Sequence, residues 1–333
     1  MKEQNMPLTT PEIAALWNSY MQSSATICMY KPFQIHLTDL EIKPHMEEAM
    51  MLQQETIRKI EAILIRENFP IPKGFSENDV DLTVPPLFSD LFALSIIYRV
   101  GQMSVPSYGT ILTKVARTDV VQFFDESLKA STELYKKSLA LMLAKGIYDR
   151  PPKIPYPNKV EYIKSQKTFL NVYISEKPPL NASELGEIFY AIERNYIGII
   201  LLMGLVQVVR DKEVKEYLIK GKKLSEKQVD IFNKFLKDDE QLGNIPVSIE
   251  VTDSTISPYS DRLILFLITS TTVTGVNLLT NTMVTSLRKD LVSQCALLIL
   301  EILKYGNEGL DIMINRGWME QPPQPINRSN LYK

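Results

Sequence analysis

The side chains of this 333-residue sequence that come nearest to a metal site are carboxylates at helical spacing, Glu48 with Glu55 and Glu126 with Glu133. Seven residues are close to two helical turns, so each pair shares one face of its helix. His45 stands three residues before Glu48, and imidazole beside carboxylate is a donor set for first-row transition metals. The placement is poor for that chemistry: His45 follows Pro44 in the first turn of a predicted helix, away from the middle of any bundle. The other histidine, His36, falls near the end of the preceding helix, and the second half of the chain has none. Paired acids without imidazole make only a weak hard-cation site. No nucleophile with a neighbouring base and no phosphate-cradling glycine loop accompanies them. The expectation is therefore no catalytic residue, no resident metal and no cofactor.

What the sequence repeats is architecture. Arg117-Thr118-Asp119, Gly146 and Pro151-Pro152 recur 171 residues later as Arg288-Lys289-Asp290, Gly317 and Pro322-Pro323. A spacing kept without a gap over that distance marks a tandem duplication. Upstream, Thr9-Thr10-Pro11-Glu12 recurs 172 residues later as Asn181-Ala182-Ser183-Glu184. Each has the form of a capping box, with Glu12 and Glu184 tying down free amides at a helix start. Asp119 and Asp290 read as N-caps of a fourth helix, and Arg117 and Arg288 can close the preceding helix end or pair with an acid elsewhere. Gly146 and Gly317 read as the left-handed residues that end that helix.

Apolar residues between these markers recur at three to four positions, Ile13, Leu16, Trp17 and Tyr20 in one copy and Leu185, Ile188, Phe189 and Ile192 in the other, the period of amphipathic helices. Asp39-Leu40-Glu41 and Asp211-Lys212-Glu213 announce a second helix in each copy. Aperiodic stretches at 77–86 and 250–258 then separate the second helix from the third. A long crossover there lets helices 2 and 3 run parallel, whereas a short one would make them antiparallel. The third helices are rich in small residues, Gly101, Ser104, Ser107 and Gly109 in the first and 269–275 in the second, which suits close helix approach or, alternatively, an apolar ligand cavity. The expected domains are a four-helix bundle over 1–150, a Pro-rich structured connector over 151–179, and a second four-helix bundle with a C-terminal tail over 180–333.

Composition narrows the partners. With 37 basic and 39 acidic residues the net charge is −2, which gives no electrostatic footprint for nucleic acid. Cys28 and Cys295 are not matched between the copies and read as small buried hydrophobes in a reducing compartment. The N-terminus lacks the pattern of a secretory signal. The apolar run at 196–209 is shorter than a bilayer requires, so no membrane span is expected and the protein is expected in the cytoplasm. A homo-oligomer or a protein partner remains open, as does a small apolar ligand.

The repeated capping box, the passage Val251-Thr252-Asp253-Ser254-Thr255 with Pro258-Tyr259-Ser260-Asp261, and the ending Gly317-Trp318-Met319-Glu320-Gln321-Pro322-Pro323 resemble a duplicated bacterial family of unknown function, DUF3231, found mainly in spore-forming Gram-positive bacteria. The resemblance runs from about residue 8 to 324. It implies an all-α fold of two tandem ferritin-like four-helix bundles related by internal duplication, and it implies no activity. Its relatives tend to carry a histidine in helix 2 and another in helix 3, where this chain has Thr56 and Gln228, and Ser95 and Leu267. Enzymes on ferritin-like bundles draw glutamates and Glu-x-x-His pairs from facing helices, so this departure speaks against metal function. The expected function is a non-enzymatic helical scaffold or interaction protein with a link to sporulation. The alternatives are a ferritin-like metal-binding oxidoreductase and an apolar small-molecule binder.

Overall fold

In the computed structural model, residues 6–160, 162, 179–239 and 250–330 are described. They form eight α-helices and no strand. The first repeat supplies α1 (Thr10–His36), α2 (Lys43–Arg66), α3 (Asp90–Leu112) and α4 (Thr118–Ala144). The second supplies α5 (Ala182–Val208), α6 (Lys212–Asp238), α7 (Asp261–Thr285) and α8 (Lys289–Asn315). Most of the expected connector, and the crossover residues 240–249 of the second repeat, lie outside the described residues.

The helix starts follow from their capping chemistry. Thr9 donates from both its amide and its hydroxyl to Glu12 Oε2 at 2.7 Å. At α5, Asn181 N–H donates to Glu184 Oε2 at 2.9 Å while Asn181 Oδ1 accepts from Glu184 N–H at 3.1 Å. Both capping boxes thus form where the sequence placed them. Gly146 and Gly317 adopt φ of +70° and +64°, and the next amides, of Ile147 and Trp318, reach back to Met142 O and Met313 O at 3.0 and 2.8 Å. This is the Schellman closure that a left-handed glycine permits.

Helix direction is written in the side-chain partners. Phe33 near the end of α1 packs with Phe92 at the start of α3, and Tyr20 near the middle of α1 meets Glu61 late in α2. Ion pairs between α2 and α4 run in opposite senses, Lys137 to Glu48, Lys59 to Glu126 and Arg66 to Asp119, at 2.7 to 3.0 Å. So α1 is antiparallel to α2 and to α3, α4 is antiparallel to α2, and α2 and α3 run parallel across the long crossover, as the aperiodic stretch implied. In the second repeat Lys220 to Glu308 and Lys227 to Glu301 set α6 against α8 in the same sense, and Asn281 to Glu187 sets α7 against α5.

Cα packing divides the chain into two compact units. One is Met1–Tyr148 with Ile256–Leu263 and Met313–Lys333, the other Asp149–Thr255 with Ile264–Ile312. In the first, a core of Leu16, Tyr20, Ile60, Leu64, Val120 and Phe124 fills the centre. Asp79 is a buried hub there: its carboxylate accepts from Ser76 N–H and from the Ser260 hydroxyl, at 3.1 and 2.7 Å. Arg262 lies 4.3 Å over the Phe75 ring and donates to Gly74 O at 2.9 Å. Gly74 itself has φ of +60°, and a Cβ there would lie 2.6 Å from Ser24 Oγ, so only glycine fits the turn. In the second unit the core runs through Leu185, Ile188, Ile192, Phe232, Leu291, Leu298 and Ile302.

Candidate functional site

The carboxylates that looked most like ligands are engaged by cations on the outer faces of the first bundle. Glu48 takes Lys137, Glu126 takes Lys59, Glu55 takes Arg58 and Lys59, and Glu133 takes Lys136. Arg58, first among the causes, holds the Glu55 carboxyl below its usual range, and Lys59 does the same for Glu126. His45 sits in the first turn of α2 with its ring Nδ1 3.1 Å from Glu41 O. Among the described residues no group of three or more His, Cys, Asp or Glu side chains gathers as a metal site would require. In the second helices, Thr56 and Gln228 are buried and locally satisfied. Thr56 donates to Leu52 O at 2.9 Å, and Gln228 Oε1 accepts from Asn195 Nδ2 at 3.3 Å.

Four buried charges, Glu12, Arg117, Glu184 and Arg288, lie elsewhere, at the joint between the third and fourth helices of each repeat. Glu12 Oε1 accepts the backbone amides of Ala116 and Arg117 at 3.0 and 2.8 Å. Glu184 Oε1 accepts those of Leu287 and Arg288 at 2.8 and 2.9 Å, with the Ser286 hydroxyl added at 2.7 Å. Each glutamate therefore caps its own helix with one oxygen and clamps a joint about a hundred residues away with the other. Burial works against ionisation of Glu12, but the four hydrogen bonds from Thr9, Ala116 and Arg117 outweigh it and hold its pKa at about 2.

The arginine beside that clamp is buried too. Arg117 reaches Glu67 at 2.5 Å and Asp119 at 2.8 Å. Arg288 reaches Asp239 and Asp290, each at 2.7 Å, and lies 5.3 Å from the Phe235 ring. Burial opposes the charge of both guanidinium groups, and the paired carboxylates raise their pKa values despite it. Two sequence expectations change here. The residues preceding α4 and α8 are Arg117 and Arg288, so Asp119 and Asp290 are first-turn residues and not N-caps. Their carboxylates turn to the guanidinium two residues back because it is a stronger donor than a free amide. The third member, Glu67 or Asp239, was missed, although the two acids follow α2 and α6 with the same 172-residue offset as the capping boxes.

Tyr217 on α6 stacks on Tyr305 of α8 with ring centroids 4.2 Å apart, and their hydroxyls, with that of Thr269, make no aligned hydrogen bond. They press on Gly221 and Gly309, where a Cβ would meet Tyr305 Oη at 2.2 Å and Tyr217 Oη at 2.5 Å. Of the small residues of the third helices, Gly101 serves close approach, since a Cβ there would meet the Tyr135 backbone at 3.2 Å, and Thr272 lies against Gly306 of α8, whereas Gly109 faces open space. A shallow pocket in the first unit is lined by Pro32, Phe33, His36, Phe88 and Tyr259. Cys28 and Cys295 are buried free thiols, pushed up to about 11 and about 12 by burial.

The apolar run at 196–209 forms the second half of α5, the helix that starts at the second capping box, and ends at its C-cap Val209. By length and composition both α5, at mean hydropathy 1.4, and α7, at 1.7, are long and apolar enough to cross a membrane. The apolar window of α5 is 50% buried and that of α7 only 33%.

Among curated proteins none matches this chain. A crystal structure of a candidate spore coat protein from Bacillus halodurans is similar to part of it, at 22% identity and a TM-score of 0.43, covering 46% of this chain and 100% of the other. The family described as "Protein of unknown function (DUF3231)" matches residues 1–160 and again 168–331, once per repeat, and the chain belongs to that family.

Proposed function

We propose that this protein is a non-enzymatic helical scaffold or interaction protein of the spore-forming cell, built on two ferritin-like bundles and working in the cytoplasm or the developing spore. The observation that carries the proposal is what the two repeats share beneath their surfaces. In each, the buried glutamate and the buried arginine are consumed in fixing one helix joint, so the charged groups kept in duplicate are architectural. The one-crossover connectivity supports the ferritin-like description. The spore link rests on the distribution of the resembled family among spore formers.

Metal analysis tests it. Protein purified without chelators is expected to hold less than about a tenth of a metal ion per chain, and to consume no oxygen above background when ferrous iron is added. Stoichiometric metal, or turnover with iron, would overturn the proposal in favour of a carboxylate-bridged oxidoreductase.

A further inference from the structure

Equivalent surfaces of the two repeats differ in one place by kind and not by detail. On α8 of the second unit, Leu297, Leu300 and Leu303 are 56%, 64% and 49% exposed. Shifting each back by 171 gives Glu126, Lys129 and Thr132 on α4. There the charges close on one another and on neighbouring helices: Glu126 with Lys59 and Gln122, Lys129 with Asp125, Lys136 with Glu133. The neighbouring α7 shows the same change, with exposed Val273 and Val284 where the first repeat has Gln102 on α3 and Thr113 just past its end. The first repeat is thus an internal control. A fold of this kind forms with a charged outer face on its last helix, so the exposed leucines of α8 are not required by the bundle. Contiguous exposed apolar residues of this sort mark a surface that is covered in use.

The order of side chains along α8 says what covers it. Lys289, Ser293, Leu297, Leu300, Lys304, Asn307 and Asp311 follow one another at spacings of four and three, which lines them along one stripe of the helix. The helix face made of this stripe and its flanking residues Ala296 and Leu303 is complementary to itself reversed. About a two-fold axis at Leu300, Leu297 falls opposite Leu303, Ser293 opposite Asn307, and Lys289 opposite Asp311. The apolar centre meets itself and the two ends carry opposite charge. Lys289 and Asp311 have no ion-pair partner among the described residues. Lys304 falls opposite the small Ala296, over which its aliphatic stem can lie.

We propose that α8 is the pairing surface for a second copy of this chain, the two helices packing antiparallel about Leu300 in an isologous two-fold contact. Leu300 of one chain meets Leu300 of the partner subunit, and Lys289 meets Asp311 of the partner subunit at both ends, as two-fold symmetry requires. The seam polar residues bear on the register, since a slip that brings Lys304 over Leu300 or Leu303 sets a lysine against a leucine. This names the partner left open by the scaffold reading and deepens it. A fused duplication with a self-pairing helix on one repeat alone yields a dimer and not an open chain, because the first repeat's equivalent face is closed by its own ion pairs.

The full chain is tested by sedimentation equilibrium. The wild type is expected at twice the 38.0 kDa chain mass, and Leu300→Glu at the single chain mass with unchanged helical circular dichroism, since the side chain is exposed. Lys289→Glu and Asp311→Lys are each expected to raise the dissociation constant by about tenfold, the scale of an exposed charge pair lost twice over, and the double reversal to restore it. Leu300→Cys is expected to form an intermolecular disulfide on oxidation, whereas Met51→Cys, exposed on α2, is not. A wild type that is monomeric at about 100 µM, a Leu300→Glu variant that remains dimeric, or a double reversal that fails to restore pairing would each overturn the proposal. So would co-sedimentation of the wild type with phosphatidylglycerol–phosphatidylcholine vesicles that Leu300→Glu abolishes, which would assign the face to lipid. None of these outcomes touches the metal and oxygen measurements, so the scaffold reading stands or falls separately.

Discussion

The joints and the outer faces of the two repeats have diverged to different degrees, and the difference separates what the bundle needs from what each repeat does with it. At the joints the same geometry recurs: glutamate to two amides, arginine to two carboxylates, glycine at the far helix end. On the outer faces even retained contacts have been rebuilt. Glu48 on α2 pairs with Lys137 on α4, and the equivalent pair, at offsets of 172 and 171, is Lys220 with Glu308, with both signs reversed. An exposed ion pair contributes little and either polarity serves. A buried one cannot be altered a side at a time, because the survivor is left charged and dry.

The arginine clamps give the sharpest contrast. Arg288 is 2% exposed against 5% for Arg117, and its carboxylate partners are the more buried, at 13% and 12% against 26% and 33%. Arg288→Ala is expected to cost about 3–5 kcal/mol by denaturant unfolding of the second unit. Arg117→Ala should cost about 1–3 kcal/mol, as its acids can recover water. Equal losses would break the link between clamp burial and stability.

The tyrosine-lined interior of the second repeat comes next. Gly221 and Gly309, which receive the Tyr305 and Tyr217 hydroxyls, correspond to Ala49 and Ser138, while Tyr305 corresponds to Leu134 and Tyr217 to His45. Gly309→Ser therefore imports the first repeat's residue without its smaller neighbours. It is expected to lower stability by about 1–3 kcal/mol through overpacking, whereas Gly186→Ala, facing open space, should be neutral or mildly stabilising. A neutral Gly309→Ser would show that the tyrosine stack can shift.

The acid side of the stability profile tests the glutamate. A carboxyl whose folded pKa lies at about 2, below its ordinary 4.5, stabilises the fold fully above 4.5 and loses that stabilisation as pH falls through the window toward 2. Glu12→Gln should flatten the unfolding free energy of the first unit across that window while lowering it at neutral pH. An unchanged slope would mean that the clamp does not depend on the charge.

The smallest effect belongs to the reversed surface pair. Glu48→Lys alone is expected to cost about 0.2–1 kcal/mol, and Glu48→Lys with Lys137→Glu, which installs the second repeat's polarity, should recover it in a double-mutant cycle. Failure to recover would mean that the surroundings, and not the pair, set the sign.

Local chemistry and strict spacing made much of this legible in the one-dimensional string. The capping boxes, the left-handed glycines, the helix count in each repeat and the long crossover depend on residues a few positions apart, whose preferences are intrinsic to the backbone. Duplication added a second independent copy of each signal, which is why the 171- and 172-residue offsets located the joints before any coordinates did. The tertiary structure alone decided where the side chains of those signals ended. That Glu12 caps a helix is local, but that its second oxygen holds the amide of Arg117 depends on two helices meeting far apart in sequence. The same is true of Glu67 and Asp239 as the arginines' partners, of the engagement of Glu55 and Glu126 by lysine and arginine, and of the exposure of the α8 leucines. Periodicity says that a helix has faces, and only packing says which of them the bundle leaves in solvent.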